Sequence, residues 1–380
     1  MGMTKKIQTK ISNIINREKL KSEYERFCST YEKEFCYEKS VIEYTASMKI
    51  KEIYYKFSNT SDIATIYSSV YACLLNGLYN EWNDEEKNIW KNYFDSHQKE
   101  NGLFEDKQYD NHKYYHGSNG WGAYHLIPHL TIAYDRIGAT PKYEFVYLNN
   151  LKEPDAMIKW LKTLDYRKVW GSSNAIMNYG VAMQYARDKM NMPFEKSIDA
   201  MEDFLLKNIN SKYGMWFDGE INKKAQRYEM IRGLYHILPI LYYDHINLPY
   251  AERAIEQIIM SQNKWGGFDT YIGSSACDDI DAVDPLLRLS KQLKLNDETI
   301  LSLLEKAKIW ILFNQNQDGG FVFEKGKPFM YGEQKCLSSI ANESNMFATW
   351  FRSVSLELIE SFINKSSSRF MRTPGYECPL

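Results

Sequence analysis

Four aspartates fall within seven residues, Asp278, Asp279, Asp281 and Asp284, and they are the part of this 380-residue chain best suited to acid–base chemistry. Carboxylates crowded this closely repel one another, so at least one is expected to keep its proton near neutrality. A proton-bearing carboxyl group in a dry cavity is what a general acid requires. Binding a hard cation is the rival use, but the spacing matches neither an EF-hand loop nor a D-D-x-x-D magnesium pattern. No metal and no cofactor is expected.

Other polar groups recur at the expected starts of helices, in HGSNGWGAYH (116–125), SSNAIMNYG (172–180), QRYEMIRGLYH (226–236), CDDIDAVDP (277–285) and NESNMFATWFR (342–352). If these helices ring a common axis, the segments gather at one mouth, the default arrangement of an active site. Asp279, Asp281, His116 and Tyr235 are then the candidate proton-transfer groups. Asn119, Trp121, Asn174, Arg227, Arg232, His236, Asp278, Glu343, Asn345 and Trp350 are the candidate substrate contacts. Asn, Ser and Asp also cap helices by satisfying their orphan N–H groups. Asp284 before Pro285 reads as such a cap with proline at the first helical position, Asn174 and Asp281 are open to the same reading, and Arg227, Glu229 and Arg232 equally suit a structural ion network.

The elements that position these groups are read from a repeat. Four segments share Gln/Asn-x-x-x-Gly-x-aromatic: Gln98–Phe104, Asn210–Trp216, Gln262–Phe268 and Gln315–Phe321. A degenerate copy is expected near LDYRKVWGSS. Each follows an amphipathic helix, such as the one carrying Ile300, Leu303, Leu304, Ala307 and Trp310, which Asp297 would cap. The glycine ends that helix and a second apolar helix follows. The pattern predicts twelve helices, near 15–36, 59–80, 84–97, 120–137, 155–165, 173–190, 196–209, 228–245, 249–262, 284–294, 297–314 and 345–364. That makes six pairs and an all-α (α/α)6 toroid without substantial sheet, and convergent polar starts favour the closed ring over an open solenoid. Residues 1–55 read as a charged helical extension on the outer ring, 56–365 as the toroid and 366–380 as a tail.

Composition narrows the partners. The formal charge is −2 with both signs scattered, which gives no basic footprint for nucleic acid. Aromatic residues make up 15 % of the chain, with 29 Tyr, enough to line a cavity for a small molecule or an oligosaccharide. Cys28, Cys36, Cys73, Cys277, Cys336 and Cys378 form no C-x-x-C pair. No apolar leader and no run long enough to span a bilayer is present, so a cytoplasmic protein with free thiols is expected, of unassigned oligomeric state.

The four glycine–aromatic segments resemble the QW motifs of squalene–hopene and oxidosqualene cyclases, over residues 96–362, within the terpenoid cyclase and protein prenyltransferase superfamily. Those proteins are α/α toroids. In the proton-initiated cyclases such a segment precedes a D-x-D-D-T-A motif, and here GGFDTYIGSSACDDIDAVD stands in that place. Aligning Ala282 with the motif's alanine implies Asp279 as proton donor, with Trp121, Tyr235 and Trp350 steadying a carbocation. Cys277, Ile280 and Asp281 depart from the motif, and no zinc-binding Asp-x-Cys pair appears.

Three functions follow as expectations. The first is a terpenoid-cyclase-like enzyme with Asp279 as acid. The second is a carbohydrate-active lyase, hydrolase or epimerase, in which Arg227 or Arg232 would hold a uronate, Asn would neutralise it, and Tyr115, His116 and Asn119 would lie near the chemistry. Asp279 and Glu343 could there serve glycoside hydrolysis. The third is a non-catalytic binding toroid.

Overall fold

A computed structural model describes residues 2–31, 36–116, 121–269, 272–295 and 298–378, with side chains from residue 16 onward. The helices are α1 (Gly2–Thr30), α2 (Tyr37–Ser47), α3 (Ile66–Tyr79), α4 (Asp84–His97), the short α5 (Asn111–His116), α6 (Ala123–Arg136) and α7 (Pro154–Leu161). They continue with α8 (Val169–Met190), α9 (Glu195–Lys207), α10 (Lys224–Tyr243), α11 (Ala251–Ile259), α12 (Ala276–Gln292), α13 (Glu298–Phe313) and α14 (Met346–Ile363). The strands among the described residues make only two small hairpins, β1 (Lys49–Lys51) with β2 (Tyr54–Tyr55), and β3 (Phe329–Met330) with β4 (Ser338–Ser339).

Six helices form an inner ring. Helix α3 packs on α6, α6 on α8, α8 on α10, α10 on α12 and α12 on α14, and α14 returns onto α3. That last contact closes the circle, and the fold is an all-α (α/α)6 toroid. The inner helices are buried on nearly every side, as α3 illustrates from Ile66 through Leu75. A helix apolar all round has to be enclosed by others. The outer helices α2, α4, α7, α9, α11 and α13 each precede an inner one and are amphipathic. Helix α11 buries Ala251, Ala254, Ile255 and Ile258, one face at helical spacing. Helix α1 lies against α13, with Tyr24 and Phe27 packed on Phe313 at ring separations of 5.2 and 5.6 Å.

The glycine–aromatic segments are the joints of this ring. Gln262 donates from Nε2 to the Gly266 carbonyl at 3.0 Å and to the Leu303 carbonyl at 2.8 Å, tying the turn after α11 to α13. Gln98 makes the equivalent pair of bonds to Gly102 and Tyr143. Gly266 has φ of +99°, and a Cβ there would lie 2.2 Å from the Lys306 carbonyl oxygen; at Gly319 it would lie 2.0 Å from that of Ser40. Only glycine allows both the left-handed turn and this backbone approach. The repeat is therefore a packing device of the outer ring. The expected fifth copy is not one: Trp170 lies in the first turn of α8.

Two helix boundaries differ from expectation. The predicted helix at 15–36 is α1 ending at Thr30, with α2 beyond it serving as the outer partner of α3. The helix predicted at 284–294 begins at Ala276, capped by a reciprocal box in which Ser275 accepts from the Asp278 N–H and Asp278 accepts from the Ser275 N–H. Asp284 and Pro285 thus lie inside α12, and Asn174 inside α8, so none of them is a cap. Asp297 lies outside the described residues.

Candidate active site

In a helix that starts at Ala276 the four aspartates meet different partners. Asp278, in the first turn, accepts from Arg232 at 2.5 Å. Asp284 is held by Arg288 through two bonds of 2.8 and 2.9 Å. Asp279 is fully buried; its Oδ1 accepts from the Ser274 hydroxyl at 2.7 Å and its Oδ2 from Arg352 at 2.5 Å. Burial raises its pKa to about 6 against the opposing Arg352 charge, so near neutrality it is mostly the ionised half of an internal ion pair.

Asp281 differs from the other three. It is 3 % exposed, and its Oδ2 has no hydrogen-bond partner. Burial lifts its pKa well above the carboxylate range, opposed by Arg232 and reinforced by the neighbouring aspartates. That direction favours its protonated form, whereas the other three are paired with arginine.

Asp281 opens onto a central cavity of about 290 Å3. The inner helices supply the wall: His125 and His129 from α6, Trp170, Asn174 and Met177 from α8, Tyr235 and His236 from α10, Cys277 and Ile280 from α12, and Phe347 and Phe351 from α14. Pro239 and Pro285 stand four residues beyond Tyr235 and Asp281, so neither helix can offer those two carbonyls its usual N–H. Trp121 stacks on Tyr67 at 5.8 Å, and a Cβ on Gly332 would lie 2.1 Å from its ring. The indole Nε1 of Trp121 and the hydroxyl of Tyr235 are also buried without partners. Three unpaired polar atoms thus belong to residues on one cavity, where leaving each unsatisfied costs about 1–3 kcal/mol until a ligand meets it.

The mouth and floor come from segments far away in sequence. The loop after the fourth glycine turn brings Phe323, Phe329, Tyr331 and Glu333 across the ring. The Tyr67 hydroxyl donates to the Gly122 carbonyl at 3.0 Å, and His125 Nδ1 and the Tyr331 hydroxyl share a hydrogen bond of 2.8 Å. The floor is Tyr376, whose oxygen accepts from Trp350 Nε1 at 3.1 Å and whose hydroxyl shares a hydrogen bond of 2.6 Å with His129 Nδ1. Arg288 holds that segment by donating to the Tyr376 and Cys378 carbonyls, and Arg136 pairs with Glu377. Burial lowers the pKa of His125 to about 4 and of His236 to about 3, and drives His129 well down as well, so all three rings are neutral near pH 7.

Of the residues read from sequence, Asp281, Tyr235, Trp121, Asn174 and His236 meet at this cavity. Trp350 stands behind the floor. Asp278 and Asp279 are on other faces of α12, and Arg232 lies over the Trp170 ring at 4.7 Å with its charge spent on Asp278. Arg227 bonds Gln257. His116 is exposed on α5. Glu343 accepts from the Thr60 and Ile340 N–H groups, closing a loop, and Asn345 caps α14 through the Ala348 N–H. Asn119 lies outside the described residues. Tyr331, Tyr376, His129 and Trp170 are cavity groups that the sequence reading did not include.

No family profile and no curated protein matches the chain. Among solved structures, a polysaccharide lyase superposes with 11 % identity and a TM-score of 0.45, covering 86 % of this chain and 98 % of its own. A structure from Salmonella enterica serovar Paratyphi A, described as a possible member of the GH105 family, gives 11 % and 0.38, covering 88 % and 97 %. Neither is a terpenoid cyclase or a prenyltransferase, and the resemblance to that superfamily is corrected here. The physical reasons lie in the two segments that carried it. The glycine turns are joints of the outer ring, and Asp279, the implied proton donor, is sealed against Arg352 away from the cavity. Among the described residues, no helix is long and apolar enough to cross a membrane.

Proposed function

We propose that this protein is a carbohydrate-active enzyme that holds a sugar ring in the central cavity and uses Asp281 as general acid. The observation that carries the reading is the Asp281 carboxyl group: buried, one oxygen unpaired, its pKa raised by burial, and on a residue that lines a cavity walled by aromatic rings. A pyranose presents apolar C–H faces and a belt of hydroxyls. Tyr331 and Phe347 supply aromatic lining for the former, and Asp281, Tyr235 and His236 supply polar groups for the latter.

Cleaving a glycosidic bond takes a proton donor and a second carboxylate. Glu333 is the other carboxyl group of the lining, with an exposed side chain 3.3 Å from Lys113 at the mouth, where water is at hand. Asp281 would protonate the leaving oxygen and Glu333 would activate water. The test is mass spectrometry of oligosaccharide panels incubated with wild type, Asp281→Asn and Glu333→Gln. Cleavage that vanishes in both variants supports the assignment. Cleavage that survives Asp281→Asn sinks it.

A further inference from the structure

The arginines behind the cavity wall are committed elsewhere, and at the mouth Lys113 is paired with Glu333. Arg352 is fully buried, pairs with Asp279 and donates also to the Ser274, Val322 and Phe323 carbonyls. Arg288 binds Asp284 and the floor segment, and Arg232 is held by Asp278 and Trp170. Among the described residues, no lysine or arginine lines the cavity, and its three histidines are neutral by burial. The lining carries two acidic groups instead, Asp281 and Glu333. A carboxylate placed there would shed its hydration and find no counter-charge, the arrangement that buried charges avoid.

We propose that the cavity selects a sugar ring bearing no carboxylate, neutral or positively charged. This rests on the carbohydrate reading and narrows it, because it removes the uronate clamp expected of Arg227 and Arg232. The surrounding tryptophan and tyrosine faces favour a neutral or positively charged ring over an anionic one, since their quadrupoles repel negative charge.

The experiment is a fluorescence titration of the full chain, read from Trp121 and Trp170 in the cavity wall. Methyl glycosides of the gluco, galacto and manno series are compared in three forms, with a hydroxymethyl group, a 2-amino group, or a 6-carboxylate. The expected result is at least about tenfold tighter binding of the neutral or amino form than of the uronate, with the preference for the amine reduced in Asp281→Asn. A uronate that binds as tightly as its neutral partner overturns the inference while leaving the carbohydrate reading intact. Benzyl alcohol, benzylamine and benzoate separate the two claims. If no sugar binds but benzoate is the weakest of the three, the charge selectivity stands and the carbohydrate reading fails. If benzoate binds best, or nothing binds, the inference is overturned.

Discussion

Replacing Asp279 and Asp281 in turn by asparagine should give opposite results, although the two residues are separated by one position. Asp279→Asn removes the charge that Arg352 was buried against. Breaking a buried ion pair from one side costs about 3–5 kcal/mol. Arg352 keeps three carbonyl acceptors, which puts the expectation in the lower half of that range. Unfolding entropy near 2.1 cal/mol/K per residue gives about 0.8 kcal/mol/K for 380 residues, so the melting temperature should fall by about 4–5 °C. Turnover below the melting range should be little changed, because Asp279 does not line the cavity. Asp281→Asn loses no ion pair and exchanges one neutral, buried polar group for another. Its melting temperature should move by about 1 °C or less, while turnover falls by the roughly 10²–10⁴ that a general acid contributes. Scanning calorimetry beside oligosaccharide cleavage reads both. A cold-stable but inactive Asp279→Asn, or an Asp281→Asn that melts as early as Asp279→Asn and stays active, would refute the division of roles.

The pH dependence follows from the same carboxyl group. The folded pKa of Asp281 lies above its unfolded value near 3.8, so the folded state binds more protons in the window between the two. Its contribution to stability is therefore present below about pH 3.8 and is lost as pH rises through the raised value, so the wild type should lose ground to Asp281→Asn as melts are taken at higher pH. Gly332→Ala should force the Trp121 ring aside, since the new Cβ would sit 2.1 Å from it; ligand affinity should fall at least tenfold by titration at a stability cost of about 1–3 kcal/mol. Arg288→Met should leave Asp284 buried without its partner and free the floor segment, lowering stability by about 3–5 kcal/mol and exposing residues 370–378 to early limited proteolysis.

The fold was legible because its joints repeat. A glutamine that caps its own turn recurs before Gly102, Gly266 and Gly319, with Asn210 in its place before Gly214, and at each the glycine admits the next backbone; the intervening helices follow from their periodicity. The acidic site was only half legible. Ser275–Ala–Cys–Asp278 is itself a capping-box sequence, and beginning the helix there places Cys277, Ile280, Asp281 and Asp284 on one face; with Arg288 one turn beyond to pair with Asp284, Asp281 is the one left. Reading Asp284–Pro285 as the helix start hid that register. Tyr331 and Tyr376 could not be found this way. The His129–Tyr376 contact joins residues 247 apart, and no local pattern records which distant loop crosses a ring and which segment fills its floor. The exposed His116 and the loop-closing Glu343 show the converse, that a chemically capable residue near a helix start need not face the axis.

The central claim is that Asp281 carries a proton at neutral pH and meets the sugar. Isotope-edited infrared spectroscopy with 13C-labelled aspartate tests it directly. The account predicts a protonated carboxyl band at pH 7 that is absent from Asp281→Asn and shifts when a neutral glycoside is added. A spectrum with only ionised aspartate at pH 7, or an acid band indifferent to every sugar, would contradict it.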